Sequence, residues 1–255
     1  MAGSITIKNT VIGKGTPCIC VPLTGENLSK LMDEAEKAVA ARPDLVEWRG
    51  DFFQKILNPK EVEQAFKELT SLLGSMPLIF TIRTKKEGGS LAISPEEYAS
   101  VLEEAAAMEA LSLMDVEILQ LKDSLRQRVV QKIHQAGKYV IGSSHHFEKT
   151  PSKEEMTEIL AAEDRAGADI LKLAVMPQDY LDLARLLDVT GERARGGCAK
   201  PIITMSMGDL GCASRFCGEI FGSAVTFASV GNASAPGQLP LKELRELLRV
   251  FHKFL

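Results

Sequence analysis

Two periods of apolar residues alternate along this chain. Nearly continuous apolar runs occur at Cys18–Leu23, Leu45–Trp48, Pro77–Ile82, Leu111–Ile118, Tyr139–Ser143, Ala168–Pro177, Pro201–Met205 and Ala224–Ala228. Runs this short and this apolar suit strands buried on both faces. Between them the spacing lengthens to that of a helix. Leu28, Leu31, Met32, Ala35 and Val39 form one stripe, and Leu241, Leu244, Leu247, Leu248 and Phe251 form the last. Ser94-Pro95-Glu96-Glu97 combines a capping box with proline at the first helical position, and Thr150-Pro151-Ser152 opens another helix. Eight strand-helix pairs with short connections result. Such alternation calls for parallel strands with right-handed crossovers, and eight pairs favour a closed (β/α)8 TIM barrel. A leading segment, Ile5–Ile12, alternates apolar and polar residues. It predicts a hairpin turning at Gly13-Lys14-Gly15 and closing the bottom of the barrel. No linker or repeat divides the chain, so residues 1–255 are expected to be one domain.

Composition narrows the setting. The 255 residues are 45% apolar and 25% charged, with a net charge of −4 spread over both signs. No basic stripe offers itself to nucleic acid or anionic lipid. Met1–Lys8 lacks the apolar core of a signal peptide, and no apolar run is long enough to span a membrane. A cytoplasmic location is the expectation. The five cysteines (Cys18, Cys20, Cys198, Cys212, Cys217) are an odd number, which argues for free thiols. Cys18 and Cys20 are expected to point to opposite faces of their strand, and neither they nor Cys212 and Cys217 offer metal-ligand spacing. No metal is expected.

The chemistry concentrates near strand ends. Lys172 interrupts the apolar run around it, sharing a strand face with Ile170 and Ala174. A buried ammonium costs several kcal/mol unless paired or hydrated. Either its head snorkels to water, or its surroundings favour the neutral amine that attacks carbonyls. Barrel enzymes gather their catalytic groups at the carboxyl ends of strands. There the sequence places Glu47 and Arg49, Arg83, Asp115 and Glu117, His145, and Lys172 on successive strands. Glu117 is also readable as a purely structural partner for a neighbouring strand, and His134 and His252 read as surface residues.

Several segments together resemble a known family. They are Asp44 to Arg49, Phe80 to Thr84 with Glu87-Gly88-Gly89, Ser143 to Phe147, Asp169 to Gln178, Thr204 to Gly208, Ser214-Arg215, and Gln238-Leu239-Pro240. In this order and spacing they are similar to the type I 3-dehydroquinate dehydratases. The resemblance implies a (β/α)8 barrel, a homodimer, and the conversion of 3-dehydroquinate to 3-dehydroshikimate in the shikimate pathway without cofactor or metal. It further implies that Lys172 forms a Schiff base with the C3 ketone and that His145, titrating near neutral pH, moves the protons, oriented by Glu87. Glu47, Arg49 and Arg83 would hold hydroxyls, Arg215 the carboxylate, and Ser234 and Gln238 would belong to a closing lid. Two positions depart from the family pattern: His146 follows the histidine where Asp or Asn is usual, and Pro22 stands where many members have serine. A class I aldolase also uses a strand-six lysine but needs a phosphate site, for which Ala228–Gly237 supplies two glycines and no evident basic partner. A barrel that has lost its chemistry and serves as a binding subunit is the third reading.

Overall fold

The structure, a computed structural model, describes residues 3–109, 111–197, 199–231 and 233–255. Two short strands, β1 (Ile5–Ile7) and β2 (Thr10–Ile12), precede the strands of the barrel. Those are β3 (Cys18–Leu23), β4 (Leu45–Arg49), β5 (Leu78–Thr81), β6 (Leu113–Val116), β7 (Tyr139–His146), β8 (Ile170–Val175), β9 (Ile202–Ser206) and β10 (Val225–Ser229). They pair in parallel in chain order from β3 to β9, with β10 beside β3. Between β9 and β10, the Ala224 N–H donates to Ile202 O at 2.7 Å and the Thr204 N–H to Ser223 Oγ at 3.1 Å, closing the circle. Helices α1 (Leu28–Ala41), α2 (Pro59–Leu73), α3 (Pro95–Ala106), α4 (Asp123–Gln135), α5 (Lys153–Arg165) and α6 (Tyr180–Arg195) follow successive strands. After β9 come a single turn, α7 (Gly208–Gly211), and α8 (Ser214–Phe221). The two-residue β11 (Leu239–Pro240) then leads into α9 (Leu241–His252). Reciprocal capping boxes start α3 at Ser94/Glu97 and α5 at Ser152/Glu155, each satisfying two otherwise orphaned N–H groups.

Two apolar regions result. The larger lies between sheet and helices and holds Trp48, Phe66 and Phe80 in mutual edge and tilted contact. The smaller fills the lower barrel with inward side chains including Leu45, Ile79, Leu113, Ile141, Ile170 and Ile203. Ile7 and Ile12 of the leading hairpin are buried against that ring, so the hairpin does close the bottom.

Its turn is elsewhere, however. Ile7 pairs with Thr10, which puts the reversal at Lys8-Asn9, with Lys8 in the left-handed region at φ 52°. Gly13-Lys14-Gly15 instead carries the chain from β2 into β3. The expectation for Cys18 and Cys20 also fails: both belong to the inner apolar cluster, as residues two apart on a strand must. Their thiols are free, as are those of Cys212 and Cys217, while Cys198 lies outside the described residues. Strand limits shift as well: β7 runs on to His146, and β6 stops at Val116, where a 3-10 turn over Ile118–Gln120 begins. Among the described residues no helix is long and apolar enough to cross a membrane.

Candidate active site

Above the apolar ring the barrel interior becomes charged. Lys172, in mid-β8, points inward and is 4% exposed. Its head does not snorkel out; it donates to Asp115 Oδ2 at 2.8 Å. Glu47 Oε1 lies 3.9 Å away, and the amine sits 4.9 Å from the centre of the Phe227 ring. Asp115, fully buried on β6, is the hub: its Oδ1 accepts from Arg83 Nη2 at 2.7 Å and from Ser143 Oγ at 2.6 Å. Burial would push this carboxyl up, but Arg83, with Lys172 second, overcomes it and holds Asp115 well below the usual carboxylate range.

Arg83, just past β5, also donates to Ser143 Oγ at 3.0 Å and to Glu117 Oε1 at 3.1 Å. In this state its guanidinium organises neighbouring carboxylates. Glu117 in turn accepts from the Thr84 N–H at 2.8 Å and the Thr84 hydroxyl at 2.6 Å, which fits the structural reading of that residue. Arg49 is gripped by both oxygens of Asp51, at 2.8 and 2.9 Å, and its guanidinium carbon lies 5.0 Å from the centre of the Phe52 ring. Asp51 additionally accepts the N–H groups of Arg83 and Ser90 and so joins the loops after β4 and β5.

His145 near the end of β7 binds Glu87 through Nδ1, 2.9 Å from Oε2, and Nε2 has no protein partner among the described residues. Glu87 comes from a 3-10 turn ending at Gly88. Gly88 has φ +77°, and a Cβ there would meet the Phe147 ring at 2.3 Å, so only glycine lets this turn lie against the strand bearing His145. Burial, then the positive charges of Arg83 and Lys172, pushes the His145 imidazole well below its ordinary range. The expectation is titration near neutral pH; the surroundings instead favour the uncharged ring. Burial pushes Glu87 up to about 8, with Arg83 offsetting part and Glu117 and Asp115 adding to the rise.

Arg215 reaches the same space from α8. It is 3% exposed; Nη2 donates to Pro236 O at 2.8 Å, and Nε is buried with no hydrogen-bond partner among the described residues. Burial pushes it down to about 10. Such an under-bonded guanidinium is suited to an anion. Over it fold residues 234–238, where Ser234 N–H donates to Gln238 Oε1 at 2.9 Å and Gly208 N–H to Pro236 O at 3.3 Å.

Eight of the nine candidates line one cavity of about 150 Å³: Glu47, Arg49, Arg83, His145, Lys172, Arg215, Ser234 and Gln238. Glu87 stands behind His145. The sequence reading assigned no role to Asp115 or Asp51, nor to Phe227 and Met205, which form apolar wall. Asp115 did show as one of two acidic residues on a common strand face, but its partners depend on the register between strands. His146 faces away from the cavity and pairs with Ser144 Oγ at 3.2 Å. Pro22 sits in register with Glu47. His134 and His252 are exposed and paired with Asp169 and Glu219. Among the described residues no group of three or more His, Cys, Asp or Glu is placed to hold a metal.

The family model for type I 3-dehydroquinase matches residues 19–254. The chain belongs to this family. Within it, the chain is 42% identical to the 3-dehydroquinate dehydratase of Clostridioides difficile (strain 630), over 99% of each sequence. It is 41% identical to that of Listeria monocytogenes serotype 4b (strain CLIP80459), over 98% of each. The crystal structure of the type I enzyme from Clostridium difficile, with covalent modified comenic acid, superposes with a TM-score of 0.95 over 100% of this chain and 99% of that one. At that similarity the (β/α)8 architecture of the type I family extends to this chain.

Proposed function

We propose that the chain dehydrates 3-dehydroquinate to 3-dehydroshikimate through an imine on Lys172. What carries this reading is one cavity that holds a buried amine, an imidazole bonded to a carboxyl and an under-bonded guanidinium. An elimination beside a ketone, on a ring bearing a carboxylate, can use all three groups. Lys172 gives up a proton from its ammonium and the amine adds to the C3 carbonyl; that proton and one of the two left on nitrogen leave with the carbonyl oxygen as water, giving an iminium. That cation draws electrons from C2 and acidifies its hydrogen. With Glu87 on Nδ1, His145 takes the C2 proton on Nε2 as general base. The electron pair of the C2–H bond forms the new double bond as the C1 hydroxyl departs, taking a proton from His145 to leave as water. A water then hydrolyses the imine and frees the amine, for a net loss of one water.

In this reading Arg215 seats the C1 carboxylate, Glu47 and Arg49 hold ring hydroxyls, and Ser234 and Gln238 close over the substrate. Arg83 acts chiefly by fixing Asp115 and Glu87, and Asp115 places the amine. The enzyme works in the cytoplasm as a homodimer without metal or cofactor. That the Clostridium difficile relative was solved with covalent modified comenic acid supports a route through a covalent intermediate. The test is to incubate the chain with 3-dehydroquinate, add borohydride, and locate the mass increase. A reduced adduct on Lys172, with enone absorbance of product in the untreated reaction, is expected. Turnover without any trapped adduct overturns the imine route, and no turnover overturns the substrate.

A further inference from the structure

The catalytic strand is held from outside the barrel as well as from within. Glu163 lies near the end of α5, fully buried between that helix and the sheet. Its Oε2 accepts the main-chain N–H of Lys172 at 3.0 Å. The other oxygen, Oε1, is buried with no hydrogen-bond partner among the described residues. Apolar side chains fill most of this layer, and an isolated carboxyl there costs stability unless something compensates. The helix comes close enough because β7 carries Gly142 opposite Leu171. A Cβ on Gly142 would stand 2.7 Å from the Ala168 Cβ and 3.3 Å from the Glu163 Cβ, pushing α5 outward.

Lys172 is therefore fixed at two points: Glu163 holds its peptide N–H from the helix side, and Asp115 holds its amine from the barrel side. Fixing the base of a four-carbon arm limits the spread of positions open to its tip. We propose that Glu163 is a positioning residue for the reaction, setting the main chain of Lys172 so that the amine meets the carbonyl carbon. This rests on Lys172 being the nucleophile. Burial pushes the Glu163 carboxyl well above the usual carboxylate range, against the pull of the Lys172 N–H, and Glu87 and Asp115 add to the rise. The acceptor is a single carboxyl oxygen, a role that an amide of the same shape can fill.

The test compares the parent with Glu163→Gln, Glu163→Met and Glu163→Asp, measuring kcat, KM, thermal unfolding and the rate of borohydride trapping at saturating substrate. Displacement of a reacting group by about 1 Å costs on the order of 10²-fold, so Glu163→Met should lose roughly 10- to 100-fold in kcat and trapping rate, with KM within about twofold. Glu163→Gln, which keeps the acceptor, should recover most of that rate. Glu163→Asp withdraws the carboxyl by one methylene and should lose rate too, which keeps the test open should the Met variant fail to fold. Unchanged kcat and trapping in the Met or Asp variant, whatever happens to thermal stability, would refute positioning alone. A parent not trapped on Lys172 would remove the nucleophile itself and with it this role for Glu163.

Discussion

Replacing Lys172 with methionine separates chemistry from stability, and the structure gives the size of both effects. The substitution nearly conserves volume, so repacking should cost less than about 1.5 kcal/mol. It removes the charge-assisted bond to Asp115, worth about 1.5–3 kcal/mol, and the contact over Phe227, worth about 0.5–2 kcal/mol. Against these losses stands the desolvation of a buried ammonium, several kcal/mol in effect. Asp115 is not orphaned, because Arg83 and Ser143 still donate to it. The two sides nearly cancel, and unfolding free energy should stay within about 2 kcal/mol of the parent. At this chain length, that is a change in Tm of no more than about 8 °C. Dehydration, followed by enone absorbance, and borohydride trapping should both vanish. Turnover within tenfold of the parent would refute the nucleophile, and a stability loss above about 3 kcal/mol would refute the electrostatic reasoning. Asp115→Ala makes the contrasting case: it leaves the Arg83 and Lys172 charges without their shared partner and should cost about 3–5 kcal/mol.

His145→Ala should slow turnover by about 10²–10⁴-fold, while His146→Ala, on the outward side of β7, should change kcat little; reversed effects would mean the wrong histidine has been chosen. The His145 ring should remain neutral as pH falls through 6.5 and take its proton only below that, since burial, Arg83 and Lys172 all favour the neutral form. An NMR titration of the free enzyme, assigned by the signal lost in His145→Ala, checks this, and a midpoint at or above 6.5 contradicts it. Arg215→Lys should lower kcat and raise KM together, because one ammonium cannot both bind Pro236 O and present paired donors to a carboxylate; kinetics equal to the parent would move the anion to Arg49.

Much of the barrel was legible because each strand is buried on both faces and each helix on one, so the two periods stand apart in the sequence. The turn at Lys8-Asn9 was not, because neither residue is glycine and the nearby Gly13-Lys14-Gly15 offered a stronger turn signal. Strand parity placed Lys172, Glu47 and His145 on the inner face. Parity says nothing about which strand's group another will meet. Asp115 became the hub only once register brought Arg83, Ser143 and Lys172 to its two oxygens. Arg215 lies on a helix rather than a strand end, so only the family resemblance pointed to it. Glu163 had no signal at all, since an acidic residue near the end of an amphipathic helix ordinarily faces solvent.

The hairpin beneath the barrel governs the movement of water. With Ile7 and Ile12 seated under the apolar ring, the lower end of the barrel is closed by apolar side chains. The proposed route sheds one water as the imine forms, sheds another from C1, and then takes one up to free the product. Any water that leaves or enters does so at the mouth, beneath the segment that carries Ser234 and Gln238. In the proposed route that segment bears on solvent as well as on substrate, since the one water lost overall leaves past it.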